Sequence, residues 1–585
     1  MKLRRFFEEM SHRRINMVKV CAATQDEPLE HIDMSFMFHR KGTIMADIIF
    51  VACNARYSHV AFALKTLRAN LSPRVYDRSE TLEFTIQNDP VEAADEILQK
   101  SPKIIGLSVY LWSLPFMRQL AETIHKTRPE IRIFIGGPEV AMPEDRMNDG
   151  LFASASVVIC GEGERAFSAL CVDALCGRAA AVDEYPEYAD LLDRKVIYAP
   201  KPDVDSLVLP YEEYTDDDLK HRILYVETGR GCPYRCAFCL SSGDKPLRYF
   251  SLEKLFQSFK RLIDRGARSF KFLDRTLNAS LSRALEILAF FMPYKDEVSL
   301  HFEMVPHEIP AELLDAMAAY PPGAIQIEFG VQTLTPHVAQ AISRRLDADR
   351  LFANLKIMRE STRVHIHADL IAGLPGETFA EFAAGFERLK SSGVQEIQLG
   401  ILKRLRGSPL DFRADEWGLV FSSIPPYEVL QTPTMDFAEL TAFKRFARYY
   451  DVLVNNANYP TSVDRICAGD YFAKFNDLAQ WIYVESHATQ GISQTRWVSL
   501  LFRYMTEVAN ISPEASALCL IEDYLRSRKE DIPPVLRPYL PEDFSISACK
   551  RASHHGGGHI RQEKHLDIAE AASPRNIEPS KPKKG

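Results

Sequence analysis

Three cysteines stand close together near the middle of this 585-residue chain, at Cys232, Cys236 and Cys239. They follow an apolar, strand-like run (222–227), and one loop could bring all three sulfurs to a common object. A structural zinc site needs four ligands, and this loop supplies only three, so a distant residue such as Cys467 would have to complete it. An iron–sulfur cubane held by three thiolates instead leaves one iron with an open coordination position. The spacing favours such a cluster, with a small molecule bound at the open iron.

The composition is that of an ordinary globular protein and argues against two classes of partner. The formal net charge is −8 with acids and bases interspersed, so no basic surface for a nucleic acid or an anionic membrane is indicated. No apolar run reaches the ~18 residues that span a bilayer, and the N-terminal segment lacks a signal-peptide core. The eleven cysteines form no disulfide framework. We expect a cytoplasmic protein with neither membrane nor nucleic acid as partner.

Apolar runs that resemble strands alternate with helical patterns over most of the chain, which predicts an α/β fold class. The first series is nearly continuous in apolar residues, as expected for a Rossmann-like or flavodoxin-like domain with helices on both sheet faces. A second series of six βα units predicts a partial (βα)6 TIM-type barrel, followed by a helical C-terminal domain. The predicted segments are a flexible extension or upstream start (1–44), the Rossmann-like domain (45–180), a linker (181–220), the barrel (221–430), the helical domain (431–550) and a disordered tail (551–585).

The strand positions decide where chemistry can occur, because parallel strands end at a common edge where such folds bind ligands. In the first series we predict strands at 46–53, 103–110, 131–136 and 155–160. In the second series we predict them at 222–228, 269–274, 299–305, 324–331, 363–371 and 396–402. Residues that directly follow these strands are therefore the candidates for a site.

The stretch "GRGCPYRCAFC" ends the first barrel strand and resembles the cluster motif of the radical S-adenosylmethionine (radical SAM) superfamily. The resemblance implies a 4Fe-4S cluster on Cys232, Cys236 and Cys239, with S-adenosylmethionine chelated to the remaining iron. It also implies a one-electron reductant of the flavodoxin or ferredoxin type, and reductive cleavage of S-adenosylmethionine to methionine and a 5'-deoxyadenosyl radical. Phe238 matches the aromatic residue that packs near the adenine.

The fourth barrel strand ends in "EFGVQT", where members of this superfamily place polar contacts to the nucleoside. Glu328 and Gln332 are therefore candidates for binding S-adenosylmethionine. The usual glycine-glycine-acid motif for the methionine amine is missing after the second strand. Asp274 and Glu303 are left as candidates for that partner.

The fifth barrel strand ends in "LIAGLPGET", which resembles the glycine-rich stretch that lets backbone approach the adenine and ribose. Gly373 and Gly376 are the candidate contacts to S-adenosylmethionine. We expect a side chain at either position to project into the space that the nucleoside needs.

An α/β domain before such a barrel is similar to the cobalamin-binding domain of a large radical SAM class. The residues implied to line the tetrapyrrole and its nucleotide tail follow the strands: Asn54, Ser108, Gly136, Gly137, Gly161, Glu162 and Gly163. The Asp-x-His-x-x-Gly motif that supplies a lower axial histidine in many cobalamin proteins is missing. His59 stands at a helix start without that spacing, so we expect no protein histidine on cobalt.

Together these motifs resemble an uncharacterised radical SAM branch whose C-terminal domain is of unknown function. The resemblance implies an enzyme that methylates or rearranges an unactivated carbon of an unknown substrate. A methylthiotransferase is an alternative, although no small C-terminal RNA-binding β-barrel is readable. From another class, the chain could be a cobalamin- or redox-sensing module with a structural cluster. The glycine-rich turn favours the enzyme, because a sensor needs no adenosyl pocket.

Overall fold

The structure, a computed structural model, describes residues 46–526 and 532–540. The predicted extension (1–44) and the predicted tail (551–585) lie outside the described residues. All described residues belong to one folded unit, which begins at Ala46.

The N-terminal region is a parallel sheet of six strands in the order β2-β1-β3-β4-β5-β6. The strands are β1 (Ile48–Asn54), β2 (Ser79–Thr85), β3 (Ile104–Ser108), β4 (Arg132–Gly136), β5 (Val157–Cys160) and β6 (Val196–Tyr198). The helices are α1 (Phe62–Ala69), α2 (Pro73–Tyr76), α3 (Pro90–Leu98), α4 (Leu114–Thr127), α5 (Gly150–Ser154), α6 (Glu164–Cys176) and α7 (Arg178–Glu184). Buried apolar residues form a separate core on each face of the sheet. This order puts a topological switch point between β1 and β3, where open α/β sheets bind ligands.

The four strands predicted in this region are present, and each end lies within two residues of its predicted position. Two edge strands were missed. Only Phe84 of the seven residues in β2 is buried, so that strand carries no apolar run. The other, β6, is three residues long and falls inside the predicted linker (181–220). Edge strands contact fewer neighbours, and their sequences therefore carry a weaker pattern.

The second sheet is also parallel, with the order β14-β13-β12-β11-β10-β7, and its two outer strands leave the barrel open. The strands are β7 (Leu224–Val226), β10 (Ser269–Phe272), β11 (Ser299–Met304), β12 (Ile325–Gln332), β13 (His365–Ala372) and β14 (Glu396–Ile401), with a short hairpin of β8 (Gly229–Arg230) and β9 (Arg248–Tyr249) after β7. The helices are α8 (Asp216–His221), α9 (Leu252–Asp264), α10 (Leu281–Phe291), α11 (Ala311–Ala318), α12 (Pro336–Ala341), α13 (Ala348–Ser361), α14 (Phe379–Ser391) and α15 (Pro409–Arg413). The predicted partial barrel is confirmed.

Burial alternates along the barrel strands and separates a packed face from an accessible lumen. In β12, every second residue from Ile325 is buried, and the residues between them, including Glu328 and Gln332, are partly exposed. Side chains alternate between the two faces of a strand. The buried set therefore packs against the outer helices, and the polar set lines the lumen.

The C-terminal region is helical, as predicted, and covers one edge of the barrel. An antiparallel pair, β15 (Val420–Phe421) and β16 (Val429–Gln431), precedes α16 (Phe437–Tyr450), α17 (Pro460–Ile466), α18 (Tyr471–Ser486), α19 (Gln494–Arg503) and α20 (Pro513–Arg526). The Asn455 amide donates to Ile397 O at 2.9 Å and accepts from Ile397 N at 3.1 Å, which satisfies backbone groups of the edge strand β14. Among the described helices, none has the length and apolar character to cross a membrane.

Candidate functional site

The cysteine loop leaves the carboxyl end of β7, at the rim of the barrel. Two main-chain hydrogen bonds shape it: Cys232 N donates to Asp244 O and Cys239 N donates to Cys236 O, both at 3.1 Å. Burial raises the pKa of Cys232, and the nearby Cys239 and Cys236 raise it further. No three His, Cys, Asp or Glu side chains of residues 46–526 and 532–540 are grouped to hold one metal ion. In a cubane, each thiolate binds a different iron.

Arg344 joins the cysteine loop to the end of β12. Its Nη1 lies 3.3 Å from Cys236 Sγ, and its Nη2 donates to Gly330 O. The guanidinium therefore places positive charge against a sulfur that would be negatively charged when it binds iron. Sequence reasoning missed Arg344 because it lies 108 residues from Cys236 and belongs to no motif that we identified.

Gln332 lies at the end of β12 in an unusual backbone conformation. Its φ is +71°, and the register with β13 shifts between Gly330 and Gln332. Such bulges re-aim side chains near functional sites. Gln332 Oε1 is buried and has no hydrogen-bond partner among the described residues. This orphaned acceptor is available to a hydroxyl or amine donor of a bound molecule.

Glu328 does not share this rim position. It precedes Gln332 by four residues, which corresponds to about 13 Å along a strand. Its Oε2 lies 3.1 Å from His301 Nε2 and 3.7 Å from Lys271 Nζ, within the lumen. Burial opposes ionisation of Glu328, but His301 and Lys271 outweigh it and lower its pKa to about 2. Burial and, after it, the Glu328 charge raise the pKa of Asp369 well above its usual range.

The two candidates for the methionine amine differ in availability. The Asp274 carboxylate accepts from Thr228 N at 2.8 Å and from Thr228 Oγ1 at 2.6 Å, and so ties the end of β10 to the end of β7. Glu303 faces the lumen, with Arg275 Nη1 at 3.7 Å. Burial raises the pKa of both carboxyl groups. The Asp274 carboxylate already accepts two hydrogen bonds from Thr228. Glu303 is therefore the acid that is more available to a ligand.

The glycine-rich turn after β13 adopts a left-handed backbone at both glycines, with φ of +83° at Gly373 and +80° at Gly376. A Cβ at Gly373 would lie 2.5 Å from Val429 Cγ1, within the contact between the turn and β16. The expectation that a side chain at Gly373 would enter ligand space is therefore wrong. A Cβ at Gly376 would lie 3.8 Å from the His337 ring, an ordinary contact. Glycine is required by packing and conformation at Gly373, and by conformation at Gly376.

Glu377, the next residue, fixes this turn to its neighbours. Its side chain is 1% exposed, and Oε1 accepts from Thr333 Oγ1 at 2.5 Å and from Thr335 Oγ1 at 3.2 Å. Its main-chain oxygen accepts from Thr434 Oγ1 at 2.8 Å. Burial raises the pKa of Glu377 to about 7, although the two threonine hydroxyls oppose the shift. Contacts thus run from the cysteine loop through Arg344 to the end of β12, and through Glu377 to the glycine-rich turn.

Phe238 lies between the second and third cysteines of the loop. It is partly buried and packs against the main hydrophobic core. The structure thus brings Cys232, Cys236, Cys239, Phe238, Gln332, Gly373 and Gly376 to one rim of the barrel, whereas Glu328 lies below it.

In the N-terminal domain, the predicted residues lie at the carboxyl edge of the first sheet. Asn54 Nδ2 donates to His59 O at 3.0 Å and to Glu83 Oε2 at 2.7 Å, so its amide holds its own loop together. Ser108 is buried at the end of β3. The adjacent Gly136 and Gly137 end β4, and φ at Gly137 is +110°, with a Cβ there 2.5 Å from Val109 O. A side chain at Gly137 would therefore collide with the main chain that follows β3.

The turn after β5 contains Gly161, Glu162 and Gly163. At Gly161 φ is +96°, and a Cβ would lie 3.3 Å from Ala199 O. The Glu162 carboxylate accepts from Arg230 Nη1 at 2.7 Å and also pairs with Arg248, both in the barrel. Glu162 therefore directs its charge to the barrel, in contrast to its predicted role beside a tetrapyrrole.

His59 also contacts the barrel. Its Nδ1 lies 2.5 Å from Tyr225 Oη on β7, and burial lowers the pKa of the imidazole. Tyr110, which follows β3, lies close enough to Arg275 and Tyr225 to interact with them electrostatically. Arg275 follows β10, and Glu162 after β5 is bonded to Arg230 after β7, so the carboxyl edges of the two sheets face each other.

Three family models match consecutive parts of the chain. A B12 binding domain matches residues 49–171, the radical SAM superfamily matches residues 226–389, and a protein of unknown function (DUF4080) matches residues 415–554.

Individual relatives match at low identity. An uncharacterized methyltransferase of Pyrococcus horikoshii is 25% identical over 54% of this chain and 70% of its own length. The cobalamin-dependent radical SAM methyltransferase TokK of Streptomyces tokunonensis is 23% identical over 71% of this chain and 63% of its own length. The solved structure of the cobalamin-dependent S-adenosylmethionine radical enzyme OxsB with aqua-cobalamin is 14% identical, has a TM-score of 0.53, and covers 86% of this chain and 84% of OxsB. The last match agrees with the fold.

Proposed function

We propose that this chain, which combines a B12-binding domain with a radical SAM domain and a DUF4080 region, is a cobalamin-dependent methyltransferase acting on an unactivated carbon. One observation carries the proposal: the carboxyl edges of the two sheets face each other, since Glu162, after β5, accepts from Arg230 Nη1, after β7, at 2.7 Å. Ligands bind at these edges in both fold types. Two cofactors bound there would lie across one cleft, as a shared reaction requires.

Cys232, Cys236 and Cys239 would hold the 4Fe-4S cluster. The donor set fits, since three thiolates on one loop leave an iron open, and Arg344 places a positive charge at 3.3 Å from Cys236 Sγ. When bound, the cluster supplies the electron that cleaves S-adenosylmethionine to a carbon radical. The superfamily requires an external electron donor, for which we propose a flavodoxin or ferredoxin.

S-adenosylmethionine would bind along the rim beside this loop. Gln332 offers an acceptor with no partner among the described residues. Phe238 presents a ring beside the third cysteine, and the backbone of Gly373 and Gly376 lies at the end of the next strand. Glu303 is the acid that remains for the methionine amine. Glu328, below the rim, would instead face the substrate.

Cobalamin would bind over the edge formed by Asn54, Ser108, Gly136, Gly137, Gly161 and Gly163. The four glycines in this set carry no side chain, which would let the backbone at this edge approach a large planar ligand closely. His59 is occupied by Tyr225, which agrees with a corrin bound without this histidine on cobalt.

The proposal is tested by products of S-adenosylmethionine that need no knowledge of the substrate's identity. The anaerobic, cofactor-loaded chain is incubated with S-adenosylmethionine, a one-electron reductant and an extract of small molecules. Methyl transfer predicts both S-adenosylhomocysteine and 5'-deoxyadenosine by mass spectrometry. Formation of 5'-deoxyadenosine alone would favour radical rearrangement, and the absence of both would favour the sensor.

A further inference from the structure

The segment that leads from β7 into the cysteine loop is attached to the N-terminal domain by a buried arginine, and Arg248 on the paired strand β9 contacts the same Glu162. Arg230 Nη1 lies 2.7 Å from Glu162 Oε2, and its Nη2 lies 2.8 Å from both Glu164 Oε1 and Glu227 Oε1. The Arg230 side chain is 13% exposed. Of these three carboxylates, Glu162 belongs to the turn after β5, Glu164 is the first residue of α6, and Glu227 follows β7.

This contact joins the two turns that matter most to the proposed function. Arg230 precedes Cys232 by two residues, and Glu162 lies between Gly161 and Gly163. A movement of either turn would break the ion pairs and leave charge buried without a partner. A guanidinium holds several carboxylates in a fixed planar arrangement through its five donors, whereas a lysine presents a point charge with three rotatable donors.

A second arginine fixes the other end of the same strand. Arg222 Nη1 lies 2.8 Å from Glu83 Oε2, at the end of β2, and 3.3 Å from Asp218 Oδ1. The three-residue strand β7 is thus anchored to the first sheet on both sides. This anchoring opposes rotation of the N-terminal domain away from the barrel.

We propose that Arg230 is a positioning residue, which fixes the separation between the cluster site and the cobalamin site by holding the turn after β5 against the cysteine loop. The inference rests on the proposed function, because it assumes that these two turns hold the two cofactors. It goes further by assigning their relative placement chiefly to Arg230, which contacts both Glu162 and Glu164, whereas Arg248 contacts only the first of these two carboxylates. A merely structural ion pair would contribute to stability without setting that separation.

The test is electron paramagnetic resonance of the full chain, loaded with cob(II)alamin and a reduced cluster. Two paramagnets at a fixed short separation split each other's signals. We expect the splitting in the wild type, its loss in Arg230→Met, and an intermediate value in Arg230→Lys. Arg118→Met serves as a control, because the 2.7 Å pair of Arg118 with Asp149 lies within the N-terminal domain alone. That control should keep the splitting.

A second variant covers the case in which Arg230→Met fails to hold the cluster. The double substitution Glu162→Gln with Glu164→Gln removes the carboxylates that Arg230 and Arg248 contact on the first domain, and it leaves the pair of Arg230 with Glu227. It should retain iron and cobalamin and still lose the splitting. Unchanged splitting in variants that hold both cofactors, or its absence in a fully loaded wild type, would overturn the inference.

Failure of the proposed function gives a different result. In that case the wild-type chain binds no cluster or no cobalamin, whatever residue stands at position 230. Hydrogen exchange on the cofactor-free chain then still tests the attachment. Arg230→Met should speed amide exchange in both 161–164 and 229–236, and unchanged exchange in both stretches would contradict it.

Discussion

At the scale of single residues, the cysteine loop makes the sharpest prediction. Cys232→Ala, Cys236→Ala or Cys239→Ala should each abolish iron and sulfide binding, since the three thiolates would be the only protein ligands of the cluster. Iron and sulfide assays on anaerobically reconstituted protein measure this. Cys176→Ala is the matched control, because Cys176 is an exposed thiol at the end of α6. Full iron content in any of the three loop variants would refute the ligand assignment.

Because of Glu377, we expect the free energy of unfolding to depend on pH. Burial raises its pKa in the folded chain from 4.5 to about 7, so the folded state binds this proton more tightly than the unfolded state. The stabilisation that protonation gives is complete below about pH 4.5 and is lost as the pH rises through 7. Glu377→Gln keeps an acceptor for the two threonines and removes the charge.

We therefore expect Glu377→Gln to raise the free energy of unfolding at pH 8 by on the order of 2–3 kcal/mol, with little change at pH 4.5. Urea unfolding at both pH values measures the difference. Glu297→Gln, at a side chain that is 58% exposed, should show no such dependence. An equal effect of Glu377→Gln at both pH values would contradict a titration origin.

At the scale of elements, the glycine-rich turn lets the cost of a left-handed backbone be measured separately from the cost of a steric clash. Gly373→Ala and Gly376→Ala both place an L-residue at positive φ, which costs roughly 1–2 kcal/mol. Only in Gly373→Ala would the new Cβ also clash with a neighbour, since it would lie 2.5 Å from Val429 Cγ1. It should therefore lower the thermal unfolding midpoint more than Gly376→Ala. Adding Val429→Ala to Gly373→Ala should restore part of the lost unfolding midpoint. If it restores none, the clash with Val429 is not the cause of the loss.

The elements also show how far sequence patterns extend. The central strands were predictable because they are buried on both faces and carry apolar runs. The edge strand β2 was not, since six of its seven residues are only partly buried. Gly373 was identified correctly as a position that needs glycine, but the reason was wrong. The neighbour that excludes a side chain there is Val429, 56 positions later in the chain, and sequence spacing does not reveal that contact.

At the scale of the whole molecule, the contacts that unite the two domains could not have been predicted. Arg230 and Glu162 lie 68 residues apart, and His59 and Tyr225 lie 166 apart. Sequence analysis singled out Glu162 and His59 but not their partners Arg230 and Tyr225, because each contact depends on a residue from another domain. The motifs therefore predicted which cofactors to expect, whereas the contacts between the two domains are visible only in the fold.

The proposed function requires the chain to hold a cluster and a cobalamin together and to use them on S-adenosylmethionine. The most direct measurement is the cofactor content and 5'-deoxyadenosine yield of one anaerobically reconstituted sample. We predict about four irons per chain, as a 4Fe-4S cluster requires. Bound cobalamin should be present in the same sample, and 5'-deoxyadenosine should form after reduction with dithionite. A wild-type chain that binds only one of the two cofactors, or binds both and leaves S-adenosylmethionine intact with candidate substrates present, would contradict the account.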